Sequence, residues 1–410
     1  MKKLMKTITA LAMTALMVLG GTGTAYAAGT AKQADTSAVS QSVNELNWKL
    51  FDKMTGEDNL FYSAYSIDSA FAMMDAGAKN NTKKQMEKVL GISDIDAFLD
   101  QYNAYRTKKM PRTCKLNTAN GIWINTDKIP RNGINKGYQL KMKTKMGATV
   151  KAEPFTDNTS REVTQFVNKT TKGFLPDYQS IVTPDKVMDL VNAVYFYGEW
   201  ETPFDTNDTN KQMFYGNAKP KRVDMMHAYN NNYRYLDNGT FKAIQLPYQD
   251  GKIVMDVILP SGNGRANNVA DLWTKTSAKN REAFLQNLDG ARMEKIRTLA
   301  LPKIELDQTT DSLPQILQSL GMTDAFGGNA DFTGIAPNLY IDSVRHRAKV
   351  SVDEKGTKAA AVTEIAVGLT AMAPEEERYI DFIADHPFIF VIRDQSNGAE
   401  LFTGAIHNLT

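Results

Sequence analysis

Few residues in this sequence could act as acid-base catalysts, activated nucleophiles or metal ligands. The chain contains four histidines, His227, His346, His386 and His407, and one cysteine, Cys114. It has no His-Glu-x-x-His, no paired Cys-x-x-Cys, no phosphate-binding loop ending in Gly-Lys-Ser/Thr and no Gly-x-Ser-x-Gly turn. We therefore predict a protein that is not an enzyme and that needs neither a metal nor another cofactor.

One stretch could instead take part in chemistry as the substrate of another protein. It runs from Val352 to Pro374 and reads VDEKGTKAAAVTEIAVGLTAMAP. Every second side chain from residue 357 is small or apolar, namely Thr357, Ala359, Ala361, Thr363, Ile365, Val367 and Leu369. This period of two is typical of a strand with one buried face, and no proline interrupts it before Pro374. An ordinary edge strand, or an alanine-rich helix over residues 354–362, also fits the composition.

The N-terminus has the features of a secretory signal. Three lysines precede an apolar run from Ile8 to Leu19, and Ala25-Tyr-Ala27 offers a small-residue cleavage site. The apolar run is too short to cross about 30 Å of hydrocarbon. We expect a signal peptide at residues 1–27 and a soluble, secreted mature chain, which would be periplasmic if the source has an outer membrane.

The overall charge does not favour a polyanionic partner. The net charge is +2, and removal of the three signal lysines leaves −1. We interpret two local basic clusters as solvated faces rather than polyanion sites: Arg106, Lys108, Lys109 and Arg112, and Lys141, Lys143, Lys145 and Lys151. We expect neither nucleic acid nor a membrane as a partner. Because a single cysteine allows no internal disulfide, the fold must depend on its core.

Residues 28–41 are small and polar, and we interpret them as a flexible lead-in. Capping boxes at Ser42–Glu45 and Thr82–Gln85 predict two helix starts, and Gly91 predicts a helix end. The run from Met188 to Trp200 is almost continuously apolar, which indicates a strand covered on both faces. Its Asn192 must be hydrogen-bonded if it is buried.

The remaining pattern mixes helices with mostly antiparallel strands. We predict a short strand and turn at 59–66, strands at 116–125, 253–259 and 298–306, helices at 67–77, 161–172 and 311–320, and a C-terminal hairpin of Pro387–Arg393 and Glu400–Ile406. The composition shows no break after residue 42, so one domain is favoured.

Over residues 42–410 these segments resemble the serpins, the serine protease inhibitor superfamily. The run from Glu354 to Thr363, EKGTKAAAVT, is similar to the hinge of the serpin reactive loop. The other matching segments are Asn59 with Ser63, Ser66, Ile67, Gly77, Ala78, Thr82 and Gln85; Val191–Phe196 with Trp200, Pro203 and Phe204; Leu320–Met322 with Asp324–Phe326; and Ala384–Phe388. Ala64 and Phe166 depart from the proline and tryptophan that are usual in the family.

The resemblance implies an α+β serpin fold at residues 42–410. We expect a single large domain with a large mixed central β-sheet, two further sheets and about eight to nine helices. An exposed reactive-centre loop would occupy residues 354–382.

The resemblance also implies a function. In serpins a serine protease cuts the reactive loop and forms an acyl-enzyme, and the cut loop inserts into the central sheet before hydrolysis releases the protease. We therefore expect a metastable, monomeric, secreted bacterial serpin that inhibits a serine protease irreversibly through a covalent complex. The alternative is a non-inhibitory member that binds a ligand or partner, but the intact hinge pattern favours inhibition.

Three groups of site residues follow from the resemblance. The hinge, where the reactive loop begins, comprises Glu354, Gly356, Thr357, Ala359, Ala360 and Ala361. The shutter, a polar group beneath the sheet that controls its opening, comprises Ser63, Ser66, Asn192 and His346. The breach, where insertion begins, comprises Trp200, Lys303 and Glu354. We expect an ion pair between Lys303 and Glu354 there.

The family's spacing of fourteen residues after the hinge glycine places the reactive bond between Thr370 and Ala371. Small residues on both sides suit an elastase-like or subtilisin-like protease. Because Pro374–Arg378 makes the loop longer than in many serpins, Leu369 and Met372 remain alternatives.

Overall fold

The fold is organised around a six-stranded sheet that has helices on both sides. A computed structural model describes residues 38–108, 110–130, 133–249, 251–262, 269–357 and 379–409. Its helices are α1 (Ala38–Met54), α2 (Ala64–Asp75), α3 (Asn80–Leu90), α4 (Ile95–Thr107), α5 (Lys136–Lys141), α6 (Asp157–Thr170), α7 (Val269–Thr274), α8 (Ala278–Asp289) and α9 (Leu313–Ser319). Its strands are β1 (Leu60–Tyr62), β2 (Cys114–Asn125), β3 (Thr149–Glu153), β4 (Met188–Glu199), β5 (Asn210–Phe214), β6 (Lys221–Asp237), β7 (Phe241–Pro247), β8 (Ile253–Pro260), β9 (Met293–Pro302), β10 (Ile304–Thr310), β11 (Ser343–Asp353), β12 (Gly356–Thr357), β13 (Ile380–Ile383), β14 (Phe388–Asp394) and β15 (Ala399–Ile406).

The six-stranded sheet has the order β10-β11-β12-β4-β2-β3. It is mixed, because β11 runs parallel to β4 whereas β2 runs antiparallel to β4. Alternate residues of β4 enter two different cores: Leu190 and Val194 join the main core behind the sheet, and Val191 and Ala193 join a smaller core shared with α6. The prediction that this apolar strand is covered on both faces is confirmed.

A nine-stranded sheet holds the remaining strands, including the predicted hairpin of β14 and β15. The strand β6 is 17 residues long and pairs with β5 near its start and with β7 near its end, while β9 pairs along most of its length. The strands expected as two further sheets are therefore joined through β6 in the described residues. The predicted α+β class, with helices and mostly antiparallel strands, is confirmed.

Two predicted helix starts are wrong. The helix α1 begins at Ala38, so the last residues of the predicted lead-in are helical. Ser42 is buried within α1 and its hydroxyl donates to Asp68, 2.9 Å away, rather than capping the helix. Because α1 begins four residues before Ser42, the backbone N–H groups that Ser42 would cap lie within the helix and have carbonyl acceptors one turn back.

The second capping box is also absent, but here the hydroxyl of the predicted cap residue accepts from a distant backbone N–H instead. The helix α3 begins at Asn80, and Thr82 accepts a hydrogen bond from the backbone of Asp331 at 3.0 Å. Gln85 accepts one from the backbone of Asp324 at 2.8 Å. The predicted end at Gly91 is confirmed, because this glycine follows the last helical residue with a left-handed φ of 76°.

Several expectations fall on residues outside the described ranges. These are the signal peptide, most of the lead-in, the hinge alanines Ala359, Ala360 and Ala361, and the candidate reactive residues Leu369, Thr370, Ala371 and Met372. Among the helices that the structure describes, none is long and apolar enough to cross a membrane.

Candidate functional site

The shutter residues meet at the middle of β4. His346 on β11 lies directly opposite Asn192 on β4, and its Nδ1 donates to Asn192 Oδ1 at 2.7 Å. Its Nε2 accepts from the backbone N–H of Ser63 at 3.2 Å. The ring therefore needs a proton on Nδ1 and a free lone pair on Nε2, which is one tautomer of neutral histidine.

Asn192 connects β4 to the layer beneath the sheet. Its Nδ2 lies 2.8 Å from the carbonyl of Ser66, 2.7 Å from the hydroxyl of Ser66 and 2.8 Å from Asn120 Oδ1. Ser63 caps α2 by accepting from the N–H of Ser66 at 3.1 Å, and its own hydroxyl donates to the carbonyl of Leu401 at 2.7 Å. The buried amide is satisfied, as its position in an apolar strand required.

Burial controls the electrostatics of this group. His346 is fully buried, and burial lowers its pKa to about 3. The shutter therefore contains no charge at neutral pH. Its hydrogen bonds tie β4, β11, β2 and α2 together, so β4 and β11 cannot part without breaking the contact between His346 and Asn192.

Asn120 on β2 is a member of this network that the sequence analysis missed. It is buried, pairs in register with Asn192 and donates to Ser69 Oγ at 3.0 Å. The strand predicted at 116–125 contains three asparagines, Asn117, Asn120 and Asn125, so residue type alone does not show which of them lies beside Asn192.

At the upper end of the sheet, the first hinge residues already form a short strand between β11 and β4. Thr357 lies opposite Val352 of β11 and opposite Gly198 of β4, antiparallel to both. Its side chain is fully buried. From Ser343 to Lys349, β11 pairs directly with β4. At one end of the sheet, Gly356 and Thr357 therefore occupy the space that an additional strand between β11 and β4 would need. Along the rest of this space, direct pairing of β11 with β4 leaves no room for a strand.

Gly356 makes this entry possible. Its φ is 148°, a backbone conformation that L side chains rarely adopt. A Cβ built on this residue would overlap the carbonyl oxygen of Gly198 and lie 2.7 Å from the Cα of Glu199. Only glycine lets the chain approach β4 so closely at this point.

Tyr248 holds the hinge and was also missed by the sequence analysis. Its hydroxyl lies 2.7 Å from the hydroxyl of Thr357, and its ring stacks on Trp200 with centroids 4.5 Å apart. The side chain is fully buried, and burial raises the pKa of its phenol well above the usual value. No local pattern marks this residue, because its partner is 109 positions away along the chain.

The breach residues also lie together. Trp200 Nε1 donates to the carbonyl of Asp353 at 3.0 Å, and its backbone N–H donates to the carbonyl of Lys355 at 2.9 Å. The predicted ion pair is present, with Lys303 Nζ 2.8 Å from Glu354 Oε1. Trp200 and this ion pair thus fix the turn between β11 and β12.

Glu354 is largely buried, whereas the side chain of Lys303 is 40% exposed. Burial alone would raise the pKa of Glu354, but hydrogen bonds from Lys303 and from Thr209, 2.7 Å away, hold that pKa below its usual value. Because the lysine is partly solvated, the pair contributes less than a buried one would. Throughout the described ranges, no cluster of histidine, cysteine and carboxylate side chains could hold a metal ion.

Comparison with known proteins agrees with this geometry. A family model described as "Serpin (serine protease inhibitor)" matches residues 41–409. Iripin-2 of Ixodes ricinus is 32% identical over 86% of this chain and 88% of its own length. Leukocyte elastase inhibitor of Xenopus laevis is 30% identical over 87% of this chain and 95% of its own length. The crystal structure of tengpin, a thermophilic serpin in the native state, superposes with a TM-score of 0.81 and 27% identity, covering 93% of this chain and 96% of the other.

Proposed function

Because this chain belongs to the serpin family, we propose that it inhibits serine proteases as a suicide substrate. A cleaved reactive loop would insert between β4 and β11 and trap the protease as an acyl-enzyme. The observation that carries the proposal is the position of Gly356 and Thr357, which pair with both β4 and β11. The residues that follow can extend a strand that has already begun.

The proposed reaction starts with attack of the protease serine on the carbonyl of the loop residue at the reactive bond, Thr370. The amide bond between Thr370 and Ala371 breaks, the nitrogen of Ala371 takes up a proton and departs from the reacting carbon, and the protease stays attached to the Thr370 carbonyl through an ester. The C-terminal part of the chain stays bound, because β14 and β15 lie within the nine-stranded sheet. Because the cut separates the loop from the C-terminal part of the chain, the residues after Thr357 can insert between β4 and β11. The inward side chains predicted from residue 357 onward are small or apolar, so the sheet can bury them.

Insertion must first separate β4 from β11. It breaks their parallel pairing between Ser343 and Lys349 and the hydrogen bond from His346 to Asn192. Two antiparallel ladders then replace one parallel ladder, and a further apolar face is buried. The exchange adds backbone hydrogen bonds and buried surface, which is why the cleaved state is expected to be much more stable than the starting one.

The small residues Thr370 and Ala371 support an elastase-like or subtilisin-like target, with Leu369 and Met372 as alternative reactive residues. The basic and apolar segments of residues 1–27 support export of the chain to the extracellular space or periplasm. A monomer with one protease as its covalent partner is sufficient for this mechanism. The relatives described above come from a tick and a frog, so the expected bacterial source stays a prediction.

The test is to incubate residues 28–410 with pancreatic elastase, subtilisin and trypsin and to analyse the products on denaturing gels. We expect a covalent complex with elastase or subtilisin, together with a released C-terminal peptide whose mass locates the bond. If every protease that cuts the loop stays active and forms no complex, the proposal fails. The chain would then be a non-inhibitory member that binds a ligand or partner.

A further inference from the structure

The boundary between β4 and β11, here called the seam, ends at a polar contact that lies apart from the shutter. Ser343 and Asp189 form the lowest pair of this parallel ladder. They lie three residues away from the pair of His346 and Asn192, which is roughly 10 Å along the strands. The hydroxyl of Ser343 donates to Asp189 Oδ1 at 2.9 Å, so a side-chain hydrogen bond closes this end of the seam.

The chain between α6 and β4 reinforces this contact. Ser180 donates to the other carboxylate oxygen of Asp189 at 3.5 Å. Lys186 Nζ lies 3.4 Å from the hydroxyl of Ser343 and 3.2 Å from the carbonyl oxygen of Ile181. We call Asp189, Ser343, Ser180 and Lys186 the lower polar group. Because Ser343 belongs to β11 and the other members do not, β4 and β11 cannot separate at this end without breaking the contacts of the group.

Two further hydrogen bonds fasten the same part of the chain to β11. The backbone N–H of Val187 donates to Asp342 Oδ2 at 3.1 Å, immediately before β11 begins. Arg345 on β11 donates through Nη1 to the carbonyl of Gln179 at 2.9 Å. Since Val187 directly precedes β4, these bonds also join the start of β4 to the start of β11.

The lower polar group contains a buried charge, whereas the shutter contains none. Asp189 is only 8% exposed. Burial raises its pKa, and the hydrogen bond from Ser343 is the largest influence in the opposite direction, followed by the charges of Lys186 and Arg345. A buried carboxylate that loses such a donor is costly. Ser343 therefore stabilises this carboxylate only while the two strands are paired.

A cavity of about 400 Å³ adjoins the lower polar group. Its walls include all four members of the group, together with Gln315 and Gln318 at one end of α9. Because Asp189 borders this open volume, water can reach its carboxylate when the strands part and can replace the donor that Ser343 supplied. The contact can therefore hold the seam closed in the uncut chain and still be broken during insertion.

We propose that the lower polar group is a second control point of loop insertion, which slows the last part of insertion until the bond from Ser343 to Asp189 breaks. This inference rests on the proposed function. The loop from Thr357 to Thr370 has more residues than β11 has from Ser343 to Val352, so an inserted loop is long enough to reach this pair. Asp189 and Ser343 act by holding the strands together and do not touch the protease, so they are positioning residues.

A reversible cross-link tests whether the seam must open at this end. Asp189→Cys combined with Ser343→Cys places thiols on directly opposite residues, whose Cα atoms lie about 4.8 Å apart, within the range of a disulfide. The matched control, Glu305→Cys with Ser351→Cys, joins opposite residues of β10 and β11 and does not cross the seam. The measurement is the rise in melting temperature when a protease cuts the loop. The oxidised seam pair should show less than half the rise of the parent and regain it on reduction, whereas the oxidised control should show the full rise.

The rate of insertion tests the contact itself. Ser343→Ala removes the donor and should speed insertion at least threefold, while Ser343→Thr keeps the hydroxyl and should behave as the parent does. Asp189→Ala should also speed insertion, and the double variant should be no faster than the faster single one, because both changes remove one contact. Insertion is followed by energy transfer between a labelled protease and a dye on Lys279→Cys, since Lys279 is exposed and Cys114 is buried. The melting temperature of the cleaved Ser343→Ala chain should not change, which a general loss of stability would not produce.

Three results would overturn the proposal. The oxidised seam pair could show the full rise in melting temperature, Ser343→Ala could insert no faster than Ser343→Thr, or the effects of Ser343→Ala and Asp189→Ala could add. A parent chain that shows no rise on cleavage would overturn both this proposal and the proposed function. A parent chain that shows the rise but traps no protease would refute inhibition alone, and the cross-linked pairs would then decide the role of the lower polar group.

Discussion

Replacing Thr357 with arginine should convert the protein from an inhibitor into a substrate. Thr357 is fully buried between β4 and β11, and its hydroxyl lies 2.7 Å from that of Tyr248. The residues opposite it in the sheet, Gly198 and Val352, offer no charge to an arginine. The guanidinium would therefore be buried without a partner.

The size of the effect follows from this environment. An unpaired buried charge costs about 3–5 kcal/mol, and the lost hydrogen bond to Tyr248 about 1 kcal/mol more. In the uncut protein we expect the hinge to leave the sheet and so avoid this cost, because leaving breaks only the pairing of the two-residue strand β12. After cleavage the arginine must enter again before any later residue can. The lower end of the charge cost alone, about 3 kcal/mol, slows insertion roughly 100-fold, since each 1.4 kcal/mol of barrier is about tenfold in rate.

The assay measures how many inhibitor molecules are consumed per protease molecule inactivated. With Thr357→Arg we expect cleaved chain to accumulate, the covalent complex to disappear from denaturing gels and the protease to stay active. Thr357→Ser is the matched control, because it keeps the hydroxyl that meets Tyr248. Lys358→Glu is a second control, since strand alternation predicts that this side chain points outward. If Thr357→Arg trapped protease as efficiently as the parent, insertion through this position would have to be abandoned.

Four further predictions concern the contact between Tyr248 and Thr357, the protease specificity, the metastability of the uncut chain and the pH dependence of its stability. Tyr248→Phe removes one hydrogen bond worth about 1 kcal/mol, so the inhibitor consumed per protease should rise several-fold, with no further rise when Thr357→Val is added; an additive rise would contradict the pairing. Thr370→Arg should shift inhibition from elastase to trypsin, whereas unchanged trapping of elastase would show that the bond is misplaced. Cleavage between Leu369 and Met372 should raise the melting temperature by tens of degrees, and an unchanged value would favour a non-inhibitory protein. Burial lowers the pKa of His346 to about 3, so between about pH 6.5 and 3 the unfolded chain binds a proton that the native chain does not. The free energy of unfolding therefore decreases as the pH is lowered, by about 2 kcal/mol at pH 5 relative to neutral pH. His346→Gln should lose less stability than the parent between pH 7 and 5 in urea unfolding, and equal losses would refute this assignment.

Much of the local structure could be predicted from the sequence, because it depends on periodicity within one segment. The continuous apolar run at Met188–Glu199 forms β4, and Gly91 ends α3. The C-terminal hairpin of β14 and β15 forms where two apolar runs flank a turn. The resemblance to serpins supplied what periodicity could not, namely that Ser63, Ser66, Asn192 and His346 belong to one site.

Only the tertiary structure decided which polar groups meet. Ser42 and Thr82 have the spacing of helix caps, yet each lies inside a helix that begins earlier and binds a residue distant in the sequence. Tyr248 carries no local signal, since its role depends on Thr357 lying between β4 and β11. Whether the hinge lies inside or outside the sheet is also decided by tertiary contacts. The same alternating pattern suits a strand inside or outside the sheet, and the contacts of Gly356 and Thr357 with β4 determine that these two residues lie inside.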